Sequence, residues 1–284
     1  MGRRGVGFAA ARRAAIAAAA CGGLLIAAAP ARAGFYFYTF ETFSHMQFRG
    51  DAWYGYDIRY PNWVFWLELT PAENDKTGAV WYTQKQQIAA GFDTTFSFLV
   101  SDEVGGGADG LAFVIQNTSS NALGSGGGSM GYGGIADSLA VEYDTWQNPD
   151  DSPGDSHISV QTAGHQPNSP SATFSLRSFG PIPSLYSVHT SRIRYLPGTL
   201  QVYLDGGLVL SVATDLSSLL DLDEGKAWVG FTAATGGSAE RHRLLSWTYT
   251  ELPEPATLWF LAAAGLPLIA RRRAGPAKAD RSRR

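Results

Sequence analysis

Cysteine is nearly absent from this chain of 284 residues: Cys21 alone occurs, inside an alanine-rich stretch near the N-terminus. Once that stretch is removed, the remainder has no thiol, so no disulfide stabilises it. Positive charge is also scarce away from the ends. Of the 22 lysines and arginines, five precede Gly34 and seven follow Ala270, which leaves ten. Of the 25 acidic residues, only Glu254 and Asp280 lie beyond Pro253, so residues 34–253 carry 23 negative against ten positive charges, a net −13. Such a body repels phosphate backbones and excludes nucleic acid as a partner; its acidity suits cation binding. Helical periodicity is missing too, except for one short piece at "DLSSLLDL". There is no internal repeat.

Both ends have the character of processing signals. Arg3, Arg4, Arg12 and Arg13 lead into an apolar run over residues 14–29, and Ala31-Arg32-Ala33 supplies a small-x-small cleavage site. The expectation is a secretory signal over residues 1–33, cut after Ala33. At the other end Pro253-Glu254-Pro255 is followed by an apolar run over residues 256–270 and then by Arg271, Arg272 and Arg273. About 15 residues are short of the ~20 that a full span requires, and the arginines would stay on the cytoplasmic side. The three parts in this order resemble the PEP-type C-terminal sorting signal of Gram-negative bacteria. That resemblance implies an exosortase-type peptidase as a processing partner, transient anchoring by the apolar segment, and a final location in the cell envelope or outside the cell.

Between the ends, residues 34–252 are expected to form one all-β domain. Short runs rich in Val, Phe, Tyr, Trp and Thr, such as "VFWLELT", "TTFSFLV", "GLAFVIQN", "HISVQT" and "KAWVGFTAAT", recur between clusters of Gly, Pro, Asn and Asp. "YLPGTL" is a Pro-Gly turn between two of them. Strands without alternating helices indicate an antiparallel β-sandwich. The glycine-rich "NALGSGGGSMGYGG" lies close between strands and is expected to be a structured loop rather than a linker.

One stretch departs from this pattern. In "SLAVEYDTW", Leu139, Val141, Tyr143 and Thr145 share one face, and Glu142 and Asp144 share the other. Two carboxylates about 7 Å apart on one strand face repel unless a proton or cation lies between them. The chain then passes through Asn148, Asp150 and Asp151 and returns with His157 opposed in parity to Ile158 and Val160. Oxygens gathered around a turn suit Ca²⁺, and an added imidazole suits Mn²⁺ or another transition metal.

At these residues the chain resembles the legume-type (L-type) lectins. The match is carried by the strand with E-x-D-T, an aromatic, Asn148, an aspartate and then His157-Ile158. "GADGLAFVIQN", "VGFTAATGGSAERHRLLSWTYTEL" and the segment from "ELTPAENDK" to "TTFSFLV" extend it over nearly the whole domain. The resemblance implies a legume-lectin (concanavalin-like) jelly roll that binds glycans or polysaccharide without catalysis. It implies a transition metal, usually Mn²⁺, on Glu142, Asp144, Asp151 and His157, and Ca²⁺ on Asp144, the Trp146 carbonyl, Asn148 and Asp151. Asp155 is the alternative to Asp151. Asp109, following a cis peptide after Ala108, and Asn148 would bind sugar hydroxyls, with an N–H donor near Gly127. Gly237 and Ser238 would close the site. Trp146 and Tyr132 are the candidates for an aromatic against the sugar, and a homodimer through sheet edges is a further possibility the family allows. Two other readings compete: a structural envelope or biofilm-matrix sandwich without sugar affinity, and a jelly-roll glycan hydrolase. The hydrolase would need a third acidic residue at the position of Trp146.

Overall fold

Along residues 92–104, Phe92, Thr94, Phe96, Phe98 and Val100 are buried while the residues between them are partly exposed. That period of two defines a strand with one face on a core. The computed structural model describes residues 33–59, 62–149 and 156–252, and within them sixteen strands. They are β1 (Gly34–Phe37), β2 (Met46–Gly50), β3 (Trp53–Arg59), β4 (Asn62–Thr70), β5 (Thr77–Tyr82), β6 (Gln86–Gln87), β7 (Phe92–Val104) and β8 (Gly110–Gln116). There follow β9 (Ser138–Asp144), β10 (His157–Thr162), β11 (Ser175–Phe179), β12 (Val188–Leu196), β13 (Gly198–Leu204), β14 (Gly207–Thr214), β15 (Lys226–Ala234) and β16 (Ala239–Glu251).

These strands make two antiparallel sheets. The back sheet runs β14-β13-β12-β7-β16-β4-β3, with β1 also on β16; the front sheet runs β11-β10-β9-β8-β15-β5-β2, with β6 on β15. Their facing sides interlock through rings. Phe231 of β15 meets Phe96 and Trp247 of the back sheet edge-to-face, each at 4.8 Å between centroids, an arrangement worth about 0.5–1.5 kcal/mol per pair beyond area burial. The antiparallel sandwich expected from the sequence is the observed fold. The helical piece is a single turn, α1 (Leu216–Leu219), whose first N–H groups are capped by Asp215. The Pro-Gly turn joins β12 to β13. The expected signal segment up to Arg32, and the sorting segment from Pro253, lie outside the described residues.

The glycine-rich stretch is a structured loop, held by Gly124 N–H to Gly131 O, Ser125 N–H to Gly133 O and Gly131 N–H to Ser125 O at 2.8–2.9 Å. It covers the outer face of the front sheet. Met130, Tyr132 and Ile135 from this loop form a second apolar cluster with Ala79, Trp81, Ala112, Val114 and Ala140. As a result β8, β9 and β10 are buried on both faces along their whole length.

Candidate functional site

The register of β9 against its neighbours places the polar residues. Asp144 lies opposite His157 on β10 and Gly110 on β8; Glu142 lies opposite Ser159 and Ala112. Paired residues share a face, so His157, Ser159 and Gln161 stand with Glu142 and Asp144 under the loop. All five are sealed from solvent. A buried carboxylate needs hydrogen bonds to offset lost hydration, and Glu142 has them. Tyr132 OH and Ser159 Oγ donate to it, the latter at 2.6 Å, and Gln161 Nε2 donates at 2.9 Å. His157 Nε2 lies 3.4 Å from Glu142 Oε1, while His157 Nδ1 is buried with no hydrogen-bond partner among the described residues. The Trp146 N–H donates to Asp144 Oδ1 at 2.8 Å. Among the described residues no three His, Asp or Glu side chains stand close enough together to hold a metal ion. Asp150, Asp151 and Asp155 lie outside those residues.

Beside this face, the end of β9 meets three loops. The Ala108–Asp109 peptide is cis. Asp109 is held by its N–H to Ala234 O (3.0 Å) and by its carbonyl, which accepts from Thr145 N–H (3.2 Å). Its carboxylate faces two residues that lack side chains: a Cβ on Gly236 would stand 3.2 Å from Oδ2, and one on Gly127 would stand 4.0 Å away. Asn148 is packed still more closely, since a Cβ on Gly128 would come within 2.7 Å of its Nδ2. The glycines at 127, 128 and 236 thus let backbone approach the two polar side chains. Ser238 Oγ donates to Gly105 O at 2.8 Å, and Asn74 Nδ2 to Gly237 O at 3.0 Å, which fixes the last loop.

The result is a cavity of about 340 Å³ lined by Ala108, Asp109, Gly127, Gly128, Trp146, Asn148, Gly236, Gly237 and Ser238. Asp109, Gly127, Asn148, Gly237 and Ser238, which the sequence pointed to separately, are brought together in its wall. The amide of Gly127 donates to Thr235 O at 3.2 Å, so that N–H is engaged within the protein. A Cβ on Gly237 would meet nothing within 4 Å, which leaves the mouth open on that side. Of the two candidate aromatics, Trp146 lines the cavity and is 40% exposed. Tyr132 is fully buried and serves Glu142 instead. It packs there because its ring belongs to the second apolar cluster while its hydroxyl reaches the Glu142 carboxylate.

Several site residues carried no sequence assignment. Ser159 and Gln161 share the parity of His157, and register against β9 is what brings them to Glu142. Glu240 and His242, within "SAERHRLL", are both fully buried in β16. Burial also bears on the hydrolase reading, because Glu142 is closed off from solvent by Tyr132 and its loop.

Comparison with known proteins gives one consistent answer. The family described as the legume lectin β-barrel domain matches residues 40–246. A seed lectin of Styphnolobium japonicum is 30% identical over 213 residues, covering 66% of this chain and 70% of the lectin. Among solved structures, basic winged bean lectin with Tn-antigen superposes at a TM-score of 0.62 with 26% identity, covering 78% of this chain and 98% of the lectin. Lectin I-B4 from Griffonia simplicifolia, in its metal-free form, gives 0.62 at 25% identity, covering 76% and 98%.

Proposed function

Because the chain belongs to the legume lectin family, we propose that it is a non-catalytic carbohydrate-binding protein whose saccharide occupies the cavity between Asp109 and Asn148. The observation that carries this reading is the meeting of Asp109, Asn148, Trp146 and the glycine backbones of two loops around one open cavity. A sugar presents hydroxyls that donate and accept, and one less polar ring face. The buried Asp109 carboxylate accepts hydroxyl protons, the Asn148 amide both donates and accepts, and Trp146 offers a flat apolar wall. Water is largely excluded at Asp109, which is only 5% exposed, so its hydrogen bonds to a ligand are strong ones.

Metal dependence belongs to the same proposal. Glu142, Asp144 and His157 line one sealed face, and the orphaned His157 Nδ1 is a lone polar atom of the kind that a bound group would satisfy. By themselves those three do not form a cation cage; completed by Asn148, the Trp146 carbonyl and either Asp151 or Asp155, they would hold Ca²⁺ and Mn²⁺. A bound cation supplies charge that fixes the loop carrying Asn148. The chain's own residues do the rest: Asp144 holds the Trp146 amide, and Thr145 holds the Asp109 carbonyl. Export and C-terminal sorting by an exosortase-type peptidase are proposed on the basic, apolar and arginine-rich segments of the two ends.

The test is a glycan array probed with the protein in Ca²⁺ and Mn²⁺, and again in chelator, alongside Asp109→Asn. Binding to a defined glycan class in metal, lost in chelator and weakened about tenfold or more in the variant, is the expected result. Equal binding with and without chelator would remove metal dependence from the proposal, and no binding to any glycan would remove the lectin reading. The structural alternative keeps the polar face of Glu142, Asp144 and His157 as a metal site for folding alone; chelation would then lower the thermal midpoint and no sugar would change it.

A further inference from the structure

Beneath the cavity lies a buried carboxylate that the reading above does not use. Glu240 is fully buried near the start of β16. Its Oε1 accepts a hydrogen bond from Thr145 Oγ1 and lies 2.9 Å from His242 Nε2; its Oε2 accepts from Tyr186 OH at 2.6 Å. His242 is held in turn by Thr70, whose Oγ1 lies 2.6 Å from Nδ1. The contacts with Thr145 and Tyr186 lead to two different walls of the cavity. Thr145 stands between Asp144 and Trp146. Tyr186 OH presses on Gly107, two residues before Asp109, where an added Cβ would come within 1.7 Å of the hydroxyl and 2.7 Å of Glu240 Oε2. Glu240 itself follows Ser238 by two residues, Ser238 being the residue that leads into β16, and Ser238 is tied back to Gly105.

An ionised group in such a place is costly unless every lone pair is used. Burial alone would push the Glu240 carboxyl up, but the hydrogen bond and charge of His242, with Thr145 and Tyr186 donating, hold it below the usual carboxylate range. Burial first, then the same carboxylate, pushes the Tyr186 phenol well above its ordinary value, so it stays a donor. The strand geometry alone does not call for this arrangement; an apolar residue at 240 would satisfy the sheet. What the carboxylate adds is direction, since it accepts from Thr145 and Tyr186 on two separate loops and is braced by His242 on its own strand.

We propose that Glu240 is a positioning residue of the saccharide site, setting Asp109 through Tyr186 and Gly107, Trp146 through Thr145, and Ser238 through its own strand. This rests on the carbohydrate-binding reading. Its test uses the full chain with Tyr186→Phe, Glu240→Gln and the double variant. The glycan taken from the array is titrated against each, with metal content and thermal midpoint measured in parallel and the NMR signals of the Asp109 amide and Trp146 indole followed without sugar. Tyr186→Phe is expected to weaken binding about tenfold, the scale of one lost hydrogen bond to a charged group. The midpoint should fall by a few degrees, as for any buried carboxylate left a donor short, metal content should scarcely change, and both NMR signals should shift. The double variant should bind no worse than Glu240→Gln, because the two residues act on one path. If Glu240→Gln does not fold, Tyr186→Phe carries the test alone. Wild-type affinity in a folded Tyr186→Phe with unmoved Asp109 and Trp146 signals would overturn the proposal. If the wild type binds no glycan, the lectin reading falls, while unmoved or shifted signals still decide whether Glu240 sets the loops.

Discussion

Strand β9 is buried on both faces, but by different means. Toward the back sheet, Leu139, Val141 and Tyr143 pack into a core of rings and aliphatic side chains. Toward the loop, Ala140, Glu142 and Asp144 lie under Met130, Tyr132 and Ile135. The inner face is held by removal of apolar area from water, which is non-directional and tolerates exchange of shapes. The outer face is held by hydrogen bonds to a charge, which are directional and fail one partner at a time. The inner face therefore carries stability, and the outer face carries a specific geometry.

The largest expected effect breaks the inner face. Phe231→Ala removes the ring that joins Phe96, Phe113 and Trp247 and is expected to cost about 3–5 kcal/mol in urea denaturation. A loss below about 1 kcal/mol would mean the core relaxes around the hole and would undo the contrast. On the outer face, Tyr132→Phe deletes one oxygen and leaves Glu142 a donor short. Its expected cost is about 1–3 kcal/mol in chelator, and the cost should shrink when Ca²⁺ and Mn²⁺ are added, because a cation compensates the carboxylate. An equal loss with and without metal would show that no cation reaches Glu142. Smaller still in stability is Gly128→Ala. Its Cβ would displace Asn148, so glycan affinity should fall about tenfold or more while the fold loses roughly 1 kcal/mol or less; unchanged affinity would take Asn148 out of the saccharide site.

The contrast also explains what could be read from the sequence. The inner face was legible because non-directional packing leaves a period-two imprint, plain in "TTFSFLV" and "SLAVEYD". The outer face was legible only where charge interrupts that imprint, at Glu142, Asp144 and His157. Ser159 and Gln161 are ordinary strand polars in isolation; their role emerges only from register with Glu142. Glu240 and His242 were hidden because a buried Glu-His pair and a solvated one have the same letters, and only tertiary contact with Thr145, Tyr186 and Thr70 separates them. β1, β2 and β3 were missed as strands. "WYGYDIR" is interrupted by glycine and charge and exposes aromatic residues on both sides, Trp53 on one and Tyr54 and Tyr56 on the other, so they gave no clear face.

An exposed polar group completes the comparison from the other side. Asp205 accepts from Thr190 N–H at 2.9 Å and lies 2.7 Å from His189 Nδ1, but its side chain is half exposed. Partial burial works to raise its carboxyl, yet the Thr190 amide and His189 together hold it below the ordinary value. A folded-state value that is depressed means stability present above the unfolded carboxylate range, near 3.8, and lost as pH falls through the lower folded value. Solvent screens such a pair, so Asp205→Asn should cost well under about 1 kcal/mol near neutrality. The gap from the wild type should close in thermal melts taken below about pH 4. If Asp205→Asn instead costs as much as Tyr132→Phe, then hydrogen bonding to a carboxylate matters here regardless of burial, and the sealed face of β9 loses its claim to be different in kind.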